Sequence, residues 1–331
     1  MKYFLIIIME KRKIIKTDIL LTTLGFGGGP IGNYRNVISD KEAFITLKKA
    51  WDFGIRYYDT APLYGHGLSE KRLGNFLNKV DRKSIIISTK VGRLLRKPKN
   101  KNFNKHDFRN IPNLEVFFDY SRKGTILSIQ ESLKRLKTDY IDIIFIHDID
   151  YWTHGKNQNI YFDQALNEAY RELENLKSKG TIRAIGIAVN DWNVCKKFAS
   201  LVSLDCILLA GRYTLLEQKY EKELLSFCDE KNISVIIGGP FNSGILATGP
   251  TNNSFYNYSL ANKEIISRVK RIQSITKSHG ISLTAAALQF PLRGKNIASV
   301  IPGLINVNEV TISCNSINEN IPEEMWNTFE N

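Results

Sequence analysis

The stretch Gly54-Ile-Arg-Tyr-Tyr-Asp-Thr-Ala-Pro-Leu-Tyr-Gly65 joins a short β-like run to a turn. It places two groups capable of proton chemistry, Asp59 and Tyr64, five residues apart. Asp59 ends the β-like run, and the proline and glycine that follow bend the chain, so that Tyr64 is expected to point back over the same strand end. A carboxylate and a phenol at one strand end indicate a catalytic site.

Two later apolar runs also end in polar side chains. One isoleucine-rich run ends in Lys90 and another ends in His147. A phenol has an ordinary pKa of about 10, and a neighbouring ammonium stabilises its anion. We therefore expect Lys90 to lower the pKa of Tyr64, with Asp59 as the partner of Lys90.

Strand-like runs alternate with helix-length amphipathic stretches eight times along the chain. This alternation predicts an α/β fold with a parallel sheet and crossover helices, and eight units predict a closed (β/α)8 TIM barrel. The predicted strands are residues 22–26, 55–59, 85–89, 141–146, 182–187, 206–209, 234–237 and 298–301. The predicted helices are residues 41–53, 69–79, 125–137, 165–179, 192–201, 221–231, 263–279 and 308–315.

The length of 331 residues and the hydrophobic content of 43% allow a large core. We expect a single barrel domain over residues 1–331. Two connections, residues 92–124 and 240–262, exceed ordinary loop lengths and leave the C-terminal ends of predicted strands, where the active sites of such barrels lie. We expect them to be long active-site loops or disordered inserts.

The net charge of +13 does not by itself predict a nucleic-acid partner, because the basic residues are scattered and no recognition motif is present. One basic cluster lies in the first long connection and is interpreted as solvated loop charge. Its members are Arg93, Arg96, Lys97, Lys99, Lys101 and Lys105.

The compartment is predicted from the cysteines and the N-terminus. The four cysteines show neither disulfide nor metal-site spacing, which indicates a reducing, cytoplasmic location without a metal. The apolar start is short and is followed by charges, so we interpret residues 1–8 as a disordered extension, with Met1 or Met9 as the true start. No run approaches the ~18 apolar residues of a membrane span, and no membrane association is expected.

The chain resembles the aldo-keto reductases from Leu24-Gly-Phe-Gly-Gly28 to Val300-Ile-Pro-Gly303. That family's catalytic tetrad falls on Asp59, Tyr64, Lys90 and His147. Other stretches, among them Phe118-Asp-Tyr-Ser-Arg122 and Gly211-Arg-Tyr-Thr-Leu-Leu216, are similar to the subgroup that oxidises aldoses or pyridoxal. The resemblance implies a barrel closed at its bottom by a short N-terminal hairpin that begins near Arg12.

The resemblance also implies roles for the tetrad. Tyr64 is expected to act as general acid and base, Lys90 to stabilise its anion, and Asp59 to hold Lys90. His147 is expected to hydrogen-bond the substrate oxygen and fix its orientation.

A nicotinamide cofactor is implied, bound without a Rossmann unit, because no helix directly follows the glycine run. The expected cofactor contacts are Gly27, Gly28, Asn190, Gly239, Pro240, Phe241, Gly244, Leu246, Ile301, Gly303 and Glu309. The expected substrate contacts are Tyr34, Phe118, Asp148 and Trp152. Relatives that prefer NADP carry cations where this chain has Gly303 and Glu309, so NAD is preferred over NADP, with Asn306 or Asn308 as alternative contacts.

The leading hypothesis is oxidation of an aldose at its anomeric carbon to the lactone. The alternatives are an NADPH-dependent reductase of small aldehydes or ketones, a pyridoxal dehydrogenase and, more remotely, a non-catalytic subunit that binds cofactor and senses redox state. We expect a small-molecule substrate and a monomer or homodimer.

Overall fold

Eight parallel strands form one sheet, in chain order, within residues 9–100 and 102–330, which the computed structural model describes. The strands are β1 (Phe26–Gly27), β2 (Tyr57–Asp59), β3 (Ile86–Val91), β4 (Ile141–His147), β5 (Ile182–Ala188), β6 (Cys206–Ala210), β7 (Ser234–Gly238) and β8 (Ile297–Ile301). Parallel bridges between Leu24 and Val300 and between Gly27 and Gly303 join the chain around the first strand to the chain around the last. The predicted (β/α)8 barrel is confirmed. The proposed extension of residues 1–8 lies outside the described residues.

Every residue of β4 is buried, as are those of β7 and β8. Continuous apolar runs of this kind are typical of parallel strands that have side chains inside the barrel and helices outside it. The inner face carries Ile143, Phe145 and Leu208, which pack together in the barrel interior. The sequence therefore predicts these strands well, because no solvent-facing alternation interrupts them.

Helices cover the outside of the sheet. They are α1 (Asp40–Asp52), α2 (Leu68–Leu77), α3 (Arg122–Leu136), α4 (Tyr151–His154), α5 (Gln158–Gln164), α6 (Tyr170–Ser178), α7 (Trp192–Leu201), α8 (Glu221–Glu230), α9 (Ile245–Thr248), α10 (Lys263–Ser278), α11 (Leu283–Gln289), α12 (Val307–Ser316) and α13 (Glu323–Glu330). Two of them, the four-residue helices α4 and α9, instead lie in the connections that follow β4 and β7. A π-helical turn, Ala165–Ala169, joins α5 to α6. At α1, Ser39 and Glu42 form a reciprocal capping box that satisfies free backbone N–H groups.

A hairpin of Lys11–Lys13 and Leu20–Thr22 lies at the bottom of the barrel, as predicted. The buried side chains Ile14, Ile19 and Leu21 pack into the inner core. This end of the barrel is closed by apolar packing, so a ligand site is left to the opposite end.

Both long connections contain ordered structure that the sequence did not predict. In the first, Arg93–Arg96 pairs with Glu115–Phe118 in an antiparallel hairpin. In the second, α9 precedes a small hairpin of Phe255–Tyr256 and Ser259–Leu260. These hairpins rise from the C-terminal ends of β3 and β7 and form walls of the barrel mouth.

Candidate active site

The centre of the site is an ion pair between neighbouring strands. Lys90 Nζ donates to Asp59 Oδ2 at 2.7 Å and to the carbonyl of Thr60 at 2.8 Å. Ser88 Oγ donates to Asp59 Oδ1 at 2.6 Å. Asp59 lies opposite Ser88 in the pairing of β2 with β3, and Ser88 and Lys90 face the same side because strand side chains alternate. The register of two strands thus fixes the pair.

Tyr64 lies on the turn after β2. Its backbone N–H donates to the carbonyl of Ala61 at 3.0 Å. The turn continues through Gly65, which has φ +64, and a Cβ there would lie 2.3 Å from the carbonyl oxygen of Gly32. Only glycine accommodates both the conformation and the contact. The turn places the centroid of the Tyr64 ring 4.7 Å from Lys90 Nζ.

His147 ends β4 and lies edge-on to Tyr64, with ring centroids 6.4 Å apart. The structure therefore brings together the four tetrad residues that the sequence predicted. Burial lowers the pKa of His147 well below its ordinary value, and the charges of Arg93 and Lys90 act in the same direction. His147 is consequently a neutral imidazole, which can donate one hydrogen bond and accept another.

Burial raises the pKa of Tyr64 well above its ordinary value, and the Asp59 carboxylate acts in the same direction, while Arg93 opposes the shift. This direction is opposite to the one that we expected from the sequence. The sequence did not account for burial, which is the largest cause of the shift, and Lys90, which contacts the Asp59 carboxylate at 2.7 Å, does not outweigh it. Tyr64 is a neutral phenol in this state.

A second ion pair flanks the tetrad. Arg93 Nη2 lies 2.5 Å from Asp148 Oδ2, and the two side chains are 6% and 17% exposed. The Arg93 guanidinium also lies over the ring of Phe118, at 5.2 Å from its centroid. Asp148 and Phe118 were predicted substrate contacts. Arg93 was interpreted as solvated loop charge, and that interpretation is wrong because the side chain is buried. Its position three residues after Lys90 was the available signal.

The other two predicted substrate residues lie on the loops around the mouth. Tyr34 packs edge-on against Phe108, with ring centroids 5.4 Å apart. Trp152 is 64% exposed and its ring lies 6.0 Å from that of Tyr258. Arg35 donates to Asp107 at 3.2 Å and to the carbonyl of Tyr258 at 2.9 Å.

Arg35 thereby ties together the connections that follow β1, β3 and β7. The sequence did not identify Tyr258, because its place over the mouth depends on contacts between loops that are distant along the chain. No local sequence pattern around Tyr258 indicates its position over the mouth.

Asn190 follows β5 and borders a polar groove of about 270 Å³. The groove is also lined by Asp150, Trp152, Asp191, Trp192, Asn193, Arg212 and Tyr220. The Asn190 carbonyl accepts a hydrogen bond from Arg212 Nε at 2.9 Å, and its side chain hydrogen-bonds Tyr258. Asn190 thus lies where the groove meets the loop that carries Tyr258.

The turn after β7 holds five predicted cofactor contacts. Gly239 and Gly244 have positive φ. Backbone N–H groups that donate to the carbonyls of Gly239 and Phe241 stabilise the turn. Pro240 is buried and Phe241 is partly buried. Leu246 is fully buried in the core and exposes no surface to a ligand.

The remaining predicted contacts lie where the barrel closes. Gly28 packs against β2 so closely that a Cβ would lie 2.6 Å from the carbonyl oxygen of Asp59. Gly27 pairs with Gly303, and Gly303 is exposed. Ile301 is only 4% exposed and packs in the inner core. Gly303 is therefore the exposed member of these four residues, whereas Gly27, Gly28 and Ile301 are buried.

Glu309 has a structural role that the sequence did not predict. Its carboxylate accepts hydrogen bonds from Ile305 N at 2.9 Å and Asn306 Nδ2 at 3.0 Å, while Asn306 Oδ1 caps Glu309 N. This reciprocal arrangement stabilises the start of α12. Burial raises the pKa of Glu309.

No helix of the described chain is long and apolar enough to cross a membrane. Among residues 9–100 and 102–330, no group of three or more His, Cys, Asp or Glu side chains is arranged to hold a metal ion. The four cysteines are buried and free.

Comparisons with known proteins agree with this geometry. The family model described as "Aldo/keto reductase family" matches residues 23–331. Pyridoxal 4-dehydrogenase of Microbacterium luteolum is 35% identical over 97% of this chain and 96% of that protein. D-threo-aldose 1-dehydrogenase of a Pseudomonas species is 38% identical over 92% of each. The holo form of an aldo-keto reductase from Bacillus halodurans superposes with a TM-score of 0.78, at 26% identity over 97% of this chain and 95% of that one.

Proposed function

This chain belongs to the aldo/keto reductase family of oxidoreductases, and from that premise we propose that it is an NAD-dependent dehydrogenase that oxidises an aldose at the anomeric carbon to its lactone. Two similar proteins, an aldose 1-dehydrogenase and a pyridoxal 4-dehydrogenase, support an oxidation of this kind. We further propose one domain over residues 1–331 that acts in the cytoplasm as a monomer or homodimer.

The observation that carries the proposal is the meeting of Asp59, Tyr64, Lys90 and His147 at one end of the barrel. A bound nicotinamide cofactor would exchange a hydride with the substrate carbon. Beside that carbon, Tyr64 would accept a proton from the substrate oxygen in oxidation or return one in reduction. Neutral His147 would donate a hydrogen bond to the same oxygen and orient it.

The pair of Lys90 and Asp59 would fix the environment of Tyr64. Lys90 Nζ is held by two oxygens, so it remains 4.7 Å from the Tyr64 ring centroid and favours a phenolate when a proton leaves. Asp59 keeps the ammonium charged in a site where an unpaired cation would be strongly destabilised.

The backbone of the barrel rim fits a nicotinamide nucleotide. The glycine-rich approach at Gly27 and Gly28 and the turn from Gly239 to Gly244 would face the cofactor, with Asn190 holding the carboxamide. We propose NAD as the preferred cofactor, because the exposed Gly303 and the Glu309 carboxylate offer no cation to a 2′-phosphate. The capping role of Glu309 leaves that carboxylate fixed near the rim.

A second candidate is reduction of small aldehydes or ketones. The observation in its favour is the raised pKa of Tyr64, because a neutral phenol is ready to donate a proton. Oxidation of pyridoxal is a third, supported by the similar protein from Microbacterium luteolum.

Cofactor turnover with a substrate panel separates these functions. The purified protein is mixed with NAD or NADP and a series of aldoses or pyridoxal at mildly alkaline pH, and formation of reduced cofactor is followed by absorbance. We expect reduction of NAD with at least one aldose. Turnover confined to pyridoxal, or to small aldehydes with reduced cofactor, would replace the aldose proposal. Cofactor binding without any turnover would indicate a redox-sensing subunit.

A further inference from the structure

We propose that Arg93 and Asp148 form a hydroxyl-binding subsite that selects polyhydroxylated substrates over plain carbonyl compounds. The inference deepens the proposed function, on which it rests for the position of the reacting carbon. It assigns a ligand-binding role to Arg93 and a specific chemical group to Asp148.

The Arg93–Asp148 ion pair is largely buried and is not a surface contact. The Arg93 side chain is 6% exposed, one of its nitrogens lies 2.5 Å from Asp148 Oδ2, and its flat face covers Phe118. Its Nε is buried and has no hydrogen-bond partner among the described residues. Leaving a buried charged donor unsatisfied is costly, so the described residues alone do not meet the hydrogen-bonding capacity of this guanidinium.

The chemistry of the pair matches a hydroxyl group. Arg93 can only donate hydrogen bonds, whereas the Asp148 carboxylate only accepts them. A hydroxyl group satisfies both at once, because its oxygen accepts from the guanidinium and its hydrogen is donated to the carboxylate. A carbonyl or ether oxygen can satisfy only Arg93, and an alkyl chain satisfies neither.

The location of the pair places that hydroxyl beside the reacting carbon. Asp148 Oδ2 lies 3.3 Å from Nε2 of His147, the residue expected to hydrogen-bond the substrate oxygen. Two side chains this close can contact oxygens on neighbouring carbons of one substrate. A substrate oxygen on His147 therefore brings an adjacent hydroxyl to Asp148 and Arg93.

A matched pair at the opposite end of β4 provides the control. Arg82 Nη2 lies 2.8 Å from Asp142 Oδ2, with side chains that are 16% and 1% exposed. Asp142 is the second residue of β4, whereas Asp148 follows its last. Arg82→Met removes a comparable buried cation from the bottom of the barrel, far from the mouth.

The test compares reduction of glyceraldehyde and propanal, which share a carbon skeleton and differ in hydroxyl groups. The measured quantity is the ratio of kcat/KM for the two substrates in the parent, Arg93→Met, Arg93→Lys and Arg82→Met. We expect the parent to favour glyceraldehyde by about tenfold to a hundredfold, the effect of charge-assisted hydrogen bonds. Arg93→Met should abolish most of this preference, Arg93→Lys part of it, and Arg82→Met none.

A parent without preference for glyceraldehyde would overturn the subsite, even if no variant folds. It would also be overturned if Arg93→Met lowered kcat/KM for both substrates by the same factor, because Arg93 would then act only on the fold or the tetrad. Aldose oxidation is scored separately. A parent that oxidises no aldose but keeps an Arg93-dependent preference would refute the proposed function and leave the subsite standing.

Discussion

Variants of the buried ion pair of Lys90 and Asp59 allow its effect on the free energy of unfolding to be measured separately from its effect on turnover. The two side chains are 1% and 3% exposed, with Nζ and Oδ2 2.7 Å apart. Lys90→Met leaves the Asp59 carboxylate with the Ser88 hydroxyl as its remaining side-chain partner. Removing one member of a buried pair costs about 3–5 kcal/mol, because the other charge is left uncompensated. We expect the free energy of unfolding to fall by that amount near neutral pH.

The loss of stability in Lys90→Met should become larger as the pH rises. Burial raises the pKa of Asp59, and Lys90 opposes that shift. In Lys90→Met the opposing positive charge is absent. Asp59 in the folded state therefore stays protonated at pH values well above its unfolded pKa of about 3.9. Between those two pKa values the folded state binds a proton that the unfolded state has released. Stability therefore falls by up to about 1.4 kcal/mol per pH unit as pH rises, and the defect should be smaller at about pH 5 than at about pH 8.

The double variant Asp59→Asn, Lys90→Met completes the cycle. It removes both charges, so we expect most of the lost stability to return, while turnover stays at least ~10²-fold below the parent. Urea unfolding followed by fluorescence gives the stabilities, and steady-state kinetics gives the turnover. Additive losses of stability would show that the pair is not coupled. Turnover within about threefold of the parent in the double variant would refute the role proposed for Lys90.

Three further outcomes are expected. Tyr64→Phe should lower turnover at least ~10²-fold while cofactor binding, measured by fluorescence titration, is retained, because only the hydroxyl is lost. Since burial raises the pKa of Tyr64, oxidative turnover should rise with pH across about pH 7 to 10, whereas reductive turnover should change little over the same range; the opposite pattern would exclude Tyr64 as the proton carrier. Glu309→Arg should shift cofactor preference toward NADP by about tenfold, whereas Glu309→Gln, which keeps the cap of α12, should not; equal shifts would show that the added guanidinium binds no 2′-phosphate and that loss of the carboxylate charge alone changes the preference.

The sequence predicted the barrel and the position of the tetrad because both depend on short-range patterns. β4 is an apolar run, interrupted by Asp142, that ends in His147, and β3 carries Ser88 and Lys90 on one face because strand side chains alternate. Strand ends of a closed parallel barrel meet at one rim, so residues that are far apart along the chain are brought together by topology alone. No pairwise contact had to be known.

The parts that the sequence did not predict depend on contacts across the mouth. The hairpin of Arg93–Arg96 with Glu115–Phe118 lies in a basic, asparagine-rich stretch without a clear strand period. Helix α11 is short and buried on most of its surface, so it shows no amphipathic pattern. Arg93 is buried only because the hairpin folds it over Phe118 and Asp148. Its charge alone indicated a solvated residue.

The direction of the Tyr64 pKa shift follows first from the burial of the phenol, which the paired charges around it do not offset. Lys90 is paired with Asp59 and Arg93 with Asp148, so two cations and two carboxylates flank a neutral phenol and a neutral imidazole. Against this balance, any added positive charge lowers the pKa of Tyr64. An oxidised nicotinamide ring carries such a charge and a reduced one does not. On the proposed roles, the same tetrad therefore holds Tyr64 ready to accept a proton in oxidation and to donate one in reduction, without any movement of its side chains.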